Sequence, residues 1–168
     1  ITVVLTNEEK AYIAGFLDGE GCIMFQLVRR KDYVYGFQIR ASIVFFQKTV
    51  HRDHLEWIKE KLKYGYVRDR NDGMSEYTIV GINQVREILD QIGSYLRLKK
   101  PHYLFALKIF TAIPKQFTSY TLWCVSELVD QFSKLNYSKK HTNTTDVLMD
   151  FFVNEFIDQP SIPVTTDS

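Results

Sequence analysis

Two carboxylates beside a pair of glycines are the residues of this sequence best suited to chemistry. The segment from Ile13 to Gly21 reads IAGFLDGEG and carries Asp18 and Glu20 two residues apart. Hard divalent cations such as Mg²⁺ prefer carboxylate and carbonyl oxygens as ligands. A metal held here would activate water and stabilise a leaving oxygen, so the segment predicts metal-assisted phosphoryl transfer.

The same segment predicts an unusual helical face. Ala11, Gly15 and Gly19 lie four residues apart, so a helix would present them as one stripe of small residues. A glycine within a helix costs about 1 kcal/mol relative to alanine, and close approach of a second helix would offset that cost. With a twofold axis beside the stripe, two copies of Glu20 would meet near it. The alternative is a helix packed inside its own chain, with both acids serving the turn.

A capped helix and two strand hairpins position this segment. Thr6 and Glu9 form a capping box, which predicts a helix from Asn7 to about Gly19. Alternation of apolar and polar residues, clearest over 37–45, predicts a hairpin, and a second hairpin follows the next helix. Asn83 is expected to cap a third helix that ends at Gly93, and three further helices follow. The element order predicts an α+β fold with an αββαββα core and additional C-terminal helices.

Composition predicts one domain over 1–157, followed by a mobile tail over 158–168. The chain has 168 residues, of which 45% are hydrophobic, enough to bury a core. The longest apolar stretch, 103–113, is interrupted by Lys108 and is far shorter than the roughly 20 residues that span a bilayer. Two cysteines provide neither a disulfide framework nor a zinc site, and we expect an intracellular protein of the cytoplasm or an organelle.

The charge is unevenly distributed along the chain. The formal net charge is +1, yet residues 26–72 and 97–115 each carry a net charge of +5. Two basic blocks separated by acidic ones favour a polyanion as partner.

The helix, the nine-residue segment and the hairpins together resemble the LAGLIDADG homing endonucleases, in the single-motif branch that acts as homodimers. The resemblance extends over about 6–155. It implies a saddle-shaped antiparallel sheet over the DNA major groove, with each chain reading one half-site. It also implies that the helix bearing the motif forms the dimer interface, to which we assign Ala11, Ala14, Gly15, Asp18 and Gly19.

The resemblance also implies the composition of the active site. Glu20, with the backbone carbonyl of Gly19, would bind the catalytic metal, while Asp18 would support the helix end. Gln47, Lys99 and His51 match the polar and basic positions that order water and steady the phosphate, with Arg52 as the alternative to His51. His51 and His54 could in principle share a metal, but without a zinc-like ligand set we interpret both as surface histidines.

The outward row of the two hairpins is the predicted DNA surface. Guanidinium and amide groups can read purine edges bidentately, and four arginines and two glutamines share this row. The alternative is an ordinary solvated face. The predicted contacts are Gln26, Val28, Arg30, Tyr33, Gln38, Arg40, Ser42, Val44, Tyr66, Arg68, Arg70, Glu76 and Thr78.

These expectations combine into one function with one alternative. The first is an intron-encoded homing endonuclease that uses Mg²⁺, or Mn²⁺ in its place, and cuts both strands of a long pseudo-palindromic DNA target across the minor groove. Short 3′ overhangs would result, and Ca²⁺ would support binding without cleavage. The alternative is an intron RNA splicing factor, a maturase, of the same fold.

Overall fold

The structure is a computed structural model that describes residues 2–136 and 143–156. The predicted mobile tail, 158–168, lies outside the described residues. Within them the elements are α1 (Asn7–Glu20), β1 (Gly21–Arg29), β2 (Phe37–Lys48), α2 (Arg52–Leu62), β3 (Tyr66–Asp69), β4 (Met74–Val80), α3 (Ile82–Ile92), α4 (Lys100–Ala112), α5 (Ser119–Ser133) and α6 (Thr145–Phe156). The strands form one antiparallel sheet of order β1-β2-β4-β3, which confirms the α+β class and the αββαββα core.

The chain divides into two compact units, and the first comprises Ile1–Met24 and Ala41–Phe105. In this unit α1 packs against α3, while α2 packs against β3 and β4. The predicted periodicities are confirmed, because the apolar faces they define supply the core. Its largest fully buried side chains include Ile13, Leu17, Ile43, Leu55, Ile58, Tyr77, Ile79 and Ile88.

The N-terminal cap of α1 is as the sequence predicts, whereas that of α3 is not. The Thr6 hydroxyl accepts from the Glu9 amide and the Glu9 carboxylate accepts from the Thr6 amide, which confirms the capping box of α1. The prediction that Asn83 caps α3 is wrong. Gly81 occupies that position without any side-chain cap, because its φ of +127° turns the chain there and places Asn83 inside the helix.

The second unit comprises Phe25–Arg40 and Ala106–Ser168, and aromatic rings form its core. The Phe25 ring contacts those of Phe110 and Phe132, with centroid separations of 5.4 and 5.0 Å. Phe151 of α6 packs edge-on against Phe37, at 5.3 Å. Within this unit, alternate residues of β1 and β2 are buried, as strand alternation predicts: Phe25, Leu27, Phe37 and Ile39.

Candidate functional site

The C-terminal end of α1 is tied to the loop that precedes α4. The Asp18 carboxylate accepts hydrogen bonds from the amides of Arg97, Leu98 and Lys99, at 2.7, 3.2 and 2.9 Å. The Lys99 ammonium in turn donates to the Asp18 carbonyl at 2.8 Å. Glu20 is exposed two residues further along. The structure thus brings Lys99 to the end of the helix that carries Glu20, and hydrogen bonds at Asp18 tie that helix end to the loop.

Gln47 lies near the end of β2 and is held by His54. The His54 Nδ1 atom is 3.3 Å from the Gln47 Oε1 atom, and its Nε2 atom is 2.7 Å from the Tyr12 phenol oxygen. The Phe16 ring meets the imidazole edge-on at 4.6 Å. His54 is half-buried rather than freely exposed, because α1 and β2 supply a ring contact and two hydrogen-bond partners that the local sequence could not reveal.

His51 and Arg52, the two candidates for the same active-site position, have different surroundings. His51 is exposed in a short 3₁₀ turn before α2. Arg52 instead forms ion pairs with Asp69 and, at 3.3 Å, with Glu56. The Ser75 hydroxyl and then Arg52 hold the pKa of Asp69 below its usual value. Because two carboxylates balance the Arg52 charge, His51 has the more accessible side chain and stays the predicted active-site group.

The metal ligands available in one chain are few. Among the described residues, no group of three or more histidine, cysteine, aspartate and glutamate side chains could hold a metal ion. Glu20 and the Gly19 carbonyl are hard oxygen donors at an exposed helix end, which is the chemistry that suits Mg²⁺. Burial raises the pKa of the nearby Cys22 thiol, and the Lys99 charge opposes that shift less strongly. Cys22 is therefore protonated at neutral pH and does not compete as a thiolate ligand.

The small-residue stripe of α1 faces open space. Ala11, Gly15 and Gly19 are exposed, and a Cβ atom added to either glycine would meet no atom within 4 Å. No contact within the described chain therefore requires these glycines. The prediction that Ala14 lies at the interface is wrong, because Ala14 is fully buried, like Leu17, on the inner face of the helix.

Two exposed apolar residues beside this stripe were missed by the sequence analysis. Tyr12 is 53% exposed, and Leu98, whose amide is bonded to Asp18, is 71% exposed. Tyr12 follows Ala11 of the stripe in sequence, and the Leu98 backbone is bonded to the end of the same helix.

In the second unit, the predicted DNA surface is accessible and partly paired. Gln26, Arg30 and Tyr33 are exposed, and Val28, Gln38 and Arg40 are half-buried. The Arg30 guanidinium donates to both oxygens of Asp32, at 3.1 and 3.2 Å, and lies over the Tyr33 ring at 5.5 Å. The Arg40 Nε atom is buried and has no hydrogen-bond partner within the described chain.

In the first unit, the predicted DNA surface carries guanidinium groups that are already paired. Tyr66, Arg68 and Arg70 are exposed. Arg68 forms an ion pair with Glu76, and Arg70 forms one with Asp72 at 2.8 Å. Each of these arginines would exchange a carboxylate for a nucleic-acid group on binding.

Three predicted contacts lie deeper than strand alternation indicates. Ser42, Val44 and Thr78 are only 2%, 5% and 8% exposed. They belong to the two central strands of the sheet, where Val44 pairs with Thr78 and Ser42 with Val80. Small side chains in central strands are covered by their larger neighbours on both sides. Their burial argues against the direct contacts predicted for them.

The family comparison gives the class of this protein. The family model described as LAGLIDADG endonuclease matches residues 13–112, and the chain therefore belongs to that family. It carries one copy of the motif. No helix among the described residues is long and apolar enough to cross a membrane.

Individual relatives extend this assignment. The DNA endonuclease I-CvuI of Chlorella vulgaris is 37% identical over 132 residues, which cover 79% of this chain and 82% of the relative. The DNA endonuclease I-CreI of Chlamydomonas reinhardtii is 31% identical over 143 residues, covering 82% and 84%. Both matches cover more than four-fifths of the relative.

Solved structures agree with these sequence matches. The crystal structure of I-CvuI in complex with its target and calcium superimposes with a TM-score of 0.82, at 33% identity, covering 88% of this chain and 94% of the other. An archaeal intron-encoded endonuclease, I-Vdi141I, complexed with DNA, has a TM-score of 0.75 at 18% identity and covers 88% and 96%. The second match shows the fold alone.

Proposed function

We propose that this chain is a homodimeric, metal-dependent homing endonuclease that hydrolyses both strands of a long pseudo-palindromic DNA target. Cleavage occurs across the minor groove and leaves short 3′ overhangs. The observation that carries the proposal is the open glycine stripe of α1, which ends at the exposed Glu20. Packing within the described chain does not require glycine at residues 15 and 19. Their small size is explained if a second copy of the chain packs closely against them.

Dimerisation follows from the number of acids as well as from the stripe. One chain supplies one Glu20, whereas a site that cuts both strands needs a carboxylate for each scissile phosphate. A twofold axis beside Gly15 and Gly19 brings two copies of Glu20 together. The exposed side chains of Tyr12 and Leu98 add apolar surface to the same interface.

The side chains around the helix end have distinct roles in this proposal. Glu20 and the Gly19 carbonyl hold Mg²⁺, which supplies Lewis-acid stabilisation of charge at the phosphate. Lys99 adds positive charge near the phosphate, and its ammonium is held in place by the Asp18 carbonyl. Gln47 and His51 orient water by hydrogen bonding. Mn²⁺ substitutes for Mg²⁺, and Ca²⁺ supports binding only.

DNA recognition belongs to the exposed part of the sheet surface. Gln26, Gln38 and the arginines are the groups able to read base edges in the major groove. The relative I-CvuI was solved in complex with its DNA target, which supports the same class of ligand here. Arg30, Arg68 and Arg70 release their carboxylate partners as they bind.

Selection from a randomised duplex pool tests this function directly. Bound duplexes are recovered in Ca²⁺, Mg²⁺ is then added, and the cut ends are sequenced. We expect a pseudo-palindromic consensus cut at staggered central positions on both strands. Enrichment without cutting would contradict the nuclease, and a gel shift that favours intron RNA over duplex DNA would support the maturase instead.

A further inference from the structure

We propose that His54 is a positioning residue for Gln47, fixing the orientation of the Gln47 amide toward the scissile phosphate. The inference rests on the proposed function, because it assigns to Gln47 a role in cleavage. It starts from a relay of three side chains, Tyr12 to His54 to Gln47, which joins α1, α2 and β2 within one compact unit.

The partners of the imidazole determine which of its nitrogens carries the proton. Gln47 presents its carbonyl oxygen Oε1 to Nδ1, and a carbonyl oxygen can only accept. With the amide in this orientation, Nδ1 is the nitrogen that carries the proton. Nε2 is then an acceptor for the Tyr12 hydroxyl, at 2.7 Å. The Nε2-protonated form of neutral His54 would instead leave two acceptors facing each other at Gln47.

Packing holds the ring in the orientation that this relay requires. Phe16 meets the imidazole edge-on at 4.6 Å, and Trp57 stacks on it with an interplanar angle of 6°. Tyr12 also contacts Trp57 edge-on. The imidazole is therefore confined on several sides, and its Nδ1–H group can select one of the two orientations of the Gln47 amide.

The orientation of that amide matters for phosphate chemistry. A glutamine amide rotated by half a turn exchanges an acceptor for a donor of two hydrogen bonds, at little steric cost. With Oε1 bound to His54, the Gln47 NH₂ group is the end left to donate to water or to a phosphate oxygen. The reversed amide would present its carbonyl oxygen to an anion. His54 thus favours the orientation in which the Gln47 NH₂ group can donate to the phosphate, without touching the substrate itself.

Paired substitutions at residue 54 separate this role from simple packing. His54→Phe keeps a ring but removes both hydrogen bonds, whereas His54→Asn keeps a donor close to the Nδ1 position. For single-turnover cleavage of the selected duplex, we expect His54→Phe to lower the rate constant about tenfold, the scale seen for partners that orient active-site ligands. His54→Asn should restore most of the rate. The melting temperature and the Kd in Ca²⁺ should stay close to those of the wild type.

A double-mutant cycle tests whether His54 acts through Gln47. In a Gln47→Ala background, His54→Phe should cause no further loss, because the group that it orients is gone. Additive losses would overturn the proposal, as would a His54→Phe enzyme that cuts at the wild-type rate. Failure of the wild type itself to cut any selected duplex would contradict the proposed function instead.

Nitrogen NMR of the imidazole tests the contact independently of cleavage. In the wild type, long-range ¹H–¹⁵N correlations should identify neutral His54 as the Nδ1-protonated tautomer. Gln47→Leu should move the Nδ1 resonance and leave Nε2 close to its wild-type position. An Nε2-protonated tautomer in the wild type would overturn the inference even for an active enzyme.

Discussion

Asp18 and Glu20 lie two residues apart and have opposite surroundings. Three backbone amides of the loop before α4 surround the Asp18 carboxylate, which is therefore committed within the chain. Glu20 is exposed, with its oxygens available to an external ligand. Asp18 thus stabilises the helix end, whereas Glu20, as we propose, binds the catalytic metal. The two roles differ because side chains two apart on a helix point in different directions.

The proposed role of Glu20 predicts a separation of binding from cleavage. Glu20→Gln keeps the shape of the side chain but removes the negative charge that a divalent cation needs. We expect the Kd for the selected duplex in Ca²⁺ to change little, and the cleavage rate constant in Mg²⁺ to fall by about 100-fold or more. Gel shifts and single-turnover cleavage measure the two quantities.

The matched control for this substitution is Glu60→Gln. Glu60 is exposed on α2, and the same chemical change there should leave cleavage at the wild-type rate. Full activity of Glu20→Gln would remove Glu20 from the metal site.

At the scale of elements, α1 has two faces with different requirements. Ile13, Ala14 and Leu17 fill the interior, while Ala11, Gly15 and Gly19 lie on the outside. Gly21, directly after the helix, is different again. A Cβ atom there would lie 2.9 Å from the Val44 carbonyl oxygen and 2.5 Å from the Leu17 side chain. Packing within the chain therefore requires glycine at residue 21, whereas it does not require glycine at residues 15 and 19.

Substitutions at these glycines should separate folding from assembly. Gly15→Leu should give a folded monomer, because the added side chain meets open space in the chain but obstructs the close approach of a second α1. Analytical ultracentrifugation measures the change in mass, and circular dichroism the retention of fold. A Gly15→Leu protein that stays dimeric would contradict the interface.

The comparison variant is Gly21→Ala. Overpacking against the Val44 backbone should lower the free energy of unfolding by about 1–3 kcal/mol. An unchanged denaturation midpoint in Gly21→Ala would show that the chain relaxes at this point.

At the scale of the whole molecule, side chains distant in sequence connect its elements. The Glu87 carboxylate on α3 accepts from the Tyr64 hydroxyl at 2.5 Å and from the Val3 amide at 3.2 Å. The Tyr64 hydrogen bond and then the Val3 amide hold the pKa of Glu87 below its usual value. The ionised carboxylate therefore stabilises the folded chain more than the protonated one does.

This lowered pKa predicts a pH dependence of stability. The contribution of Glu87 is fully present above the pKa of an unfolded glutamate, about 4.3, and is lost as the pH falls through the lower folded value. Glu87→Gln should be less stable than the wild type at pH 7, and the difference should shrink toward pH 3. Urea denaturation over that range measures it.

Asp90→Asn, at an exposed position of the same helix, is the control for this series and should follow the wild-type curve. A difference between wild type and Glu87→Gln that is constant with pH would contradict the assignment of the effect to the carboxylate charge.

The sequence by itself determined the features that depend on local periodicity. The capping box at Thr6 and Glu9, the inward faces of the helices and the alternation of β1 and β2 follow from the direction in which successive side chains point. The nine-residue motif, together with the capped helix before it and the hairpins after it, was enough to indicate the family, which the family model over 13–112 confirms. These signals lie within short windows of the chain.

The tertiary structure alone decided how side chains far apart in sequence contact one another. Asp18 meets the loop of Lys99 across 81 positions, and His54 meets Tyr12 across 42. The depth of Ser42, Val44 and Thr78 depends on which strands become central. No local pattern encodes these contacts, because they arise only when the elements pack and each side chain acquires neighbours from elsewhere in the chain.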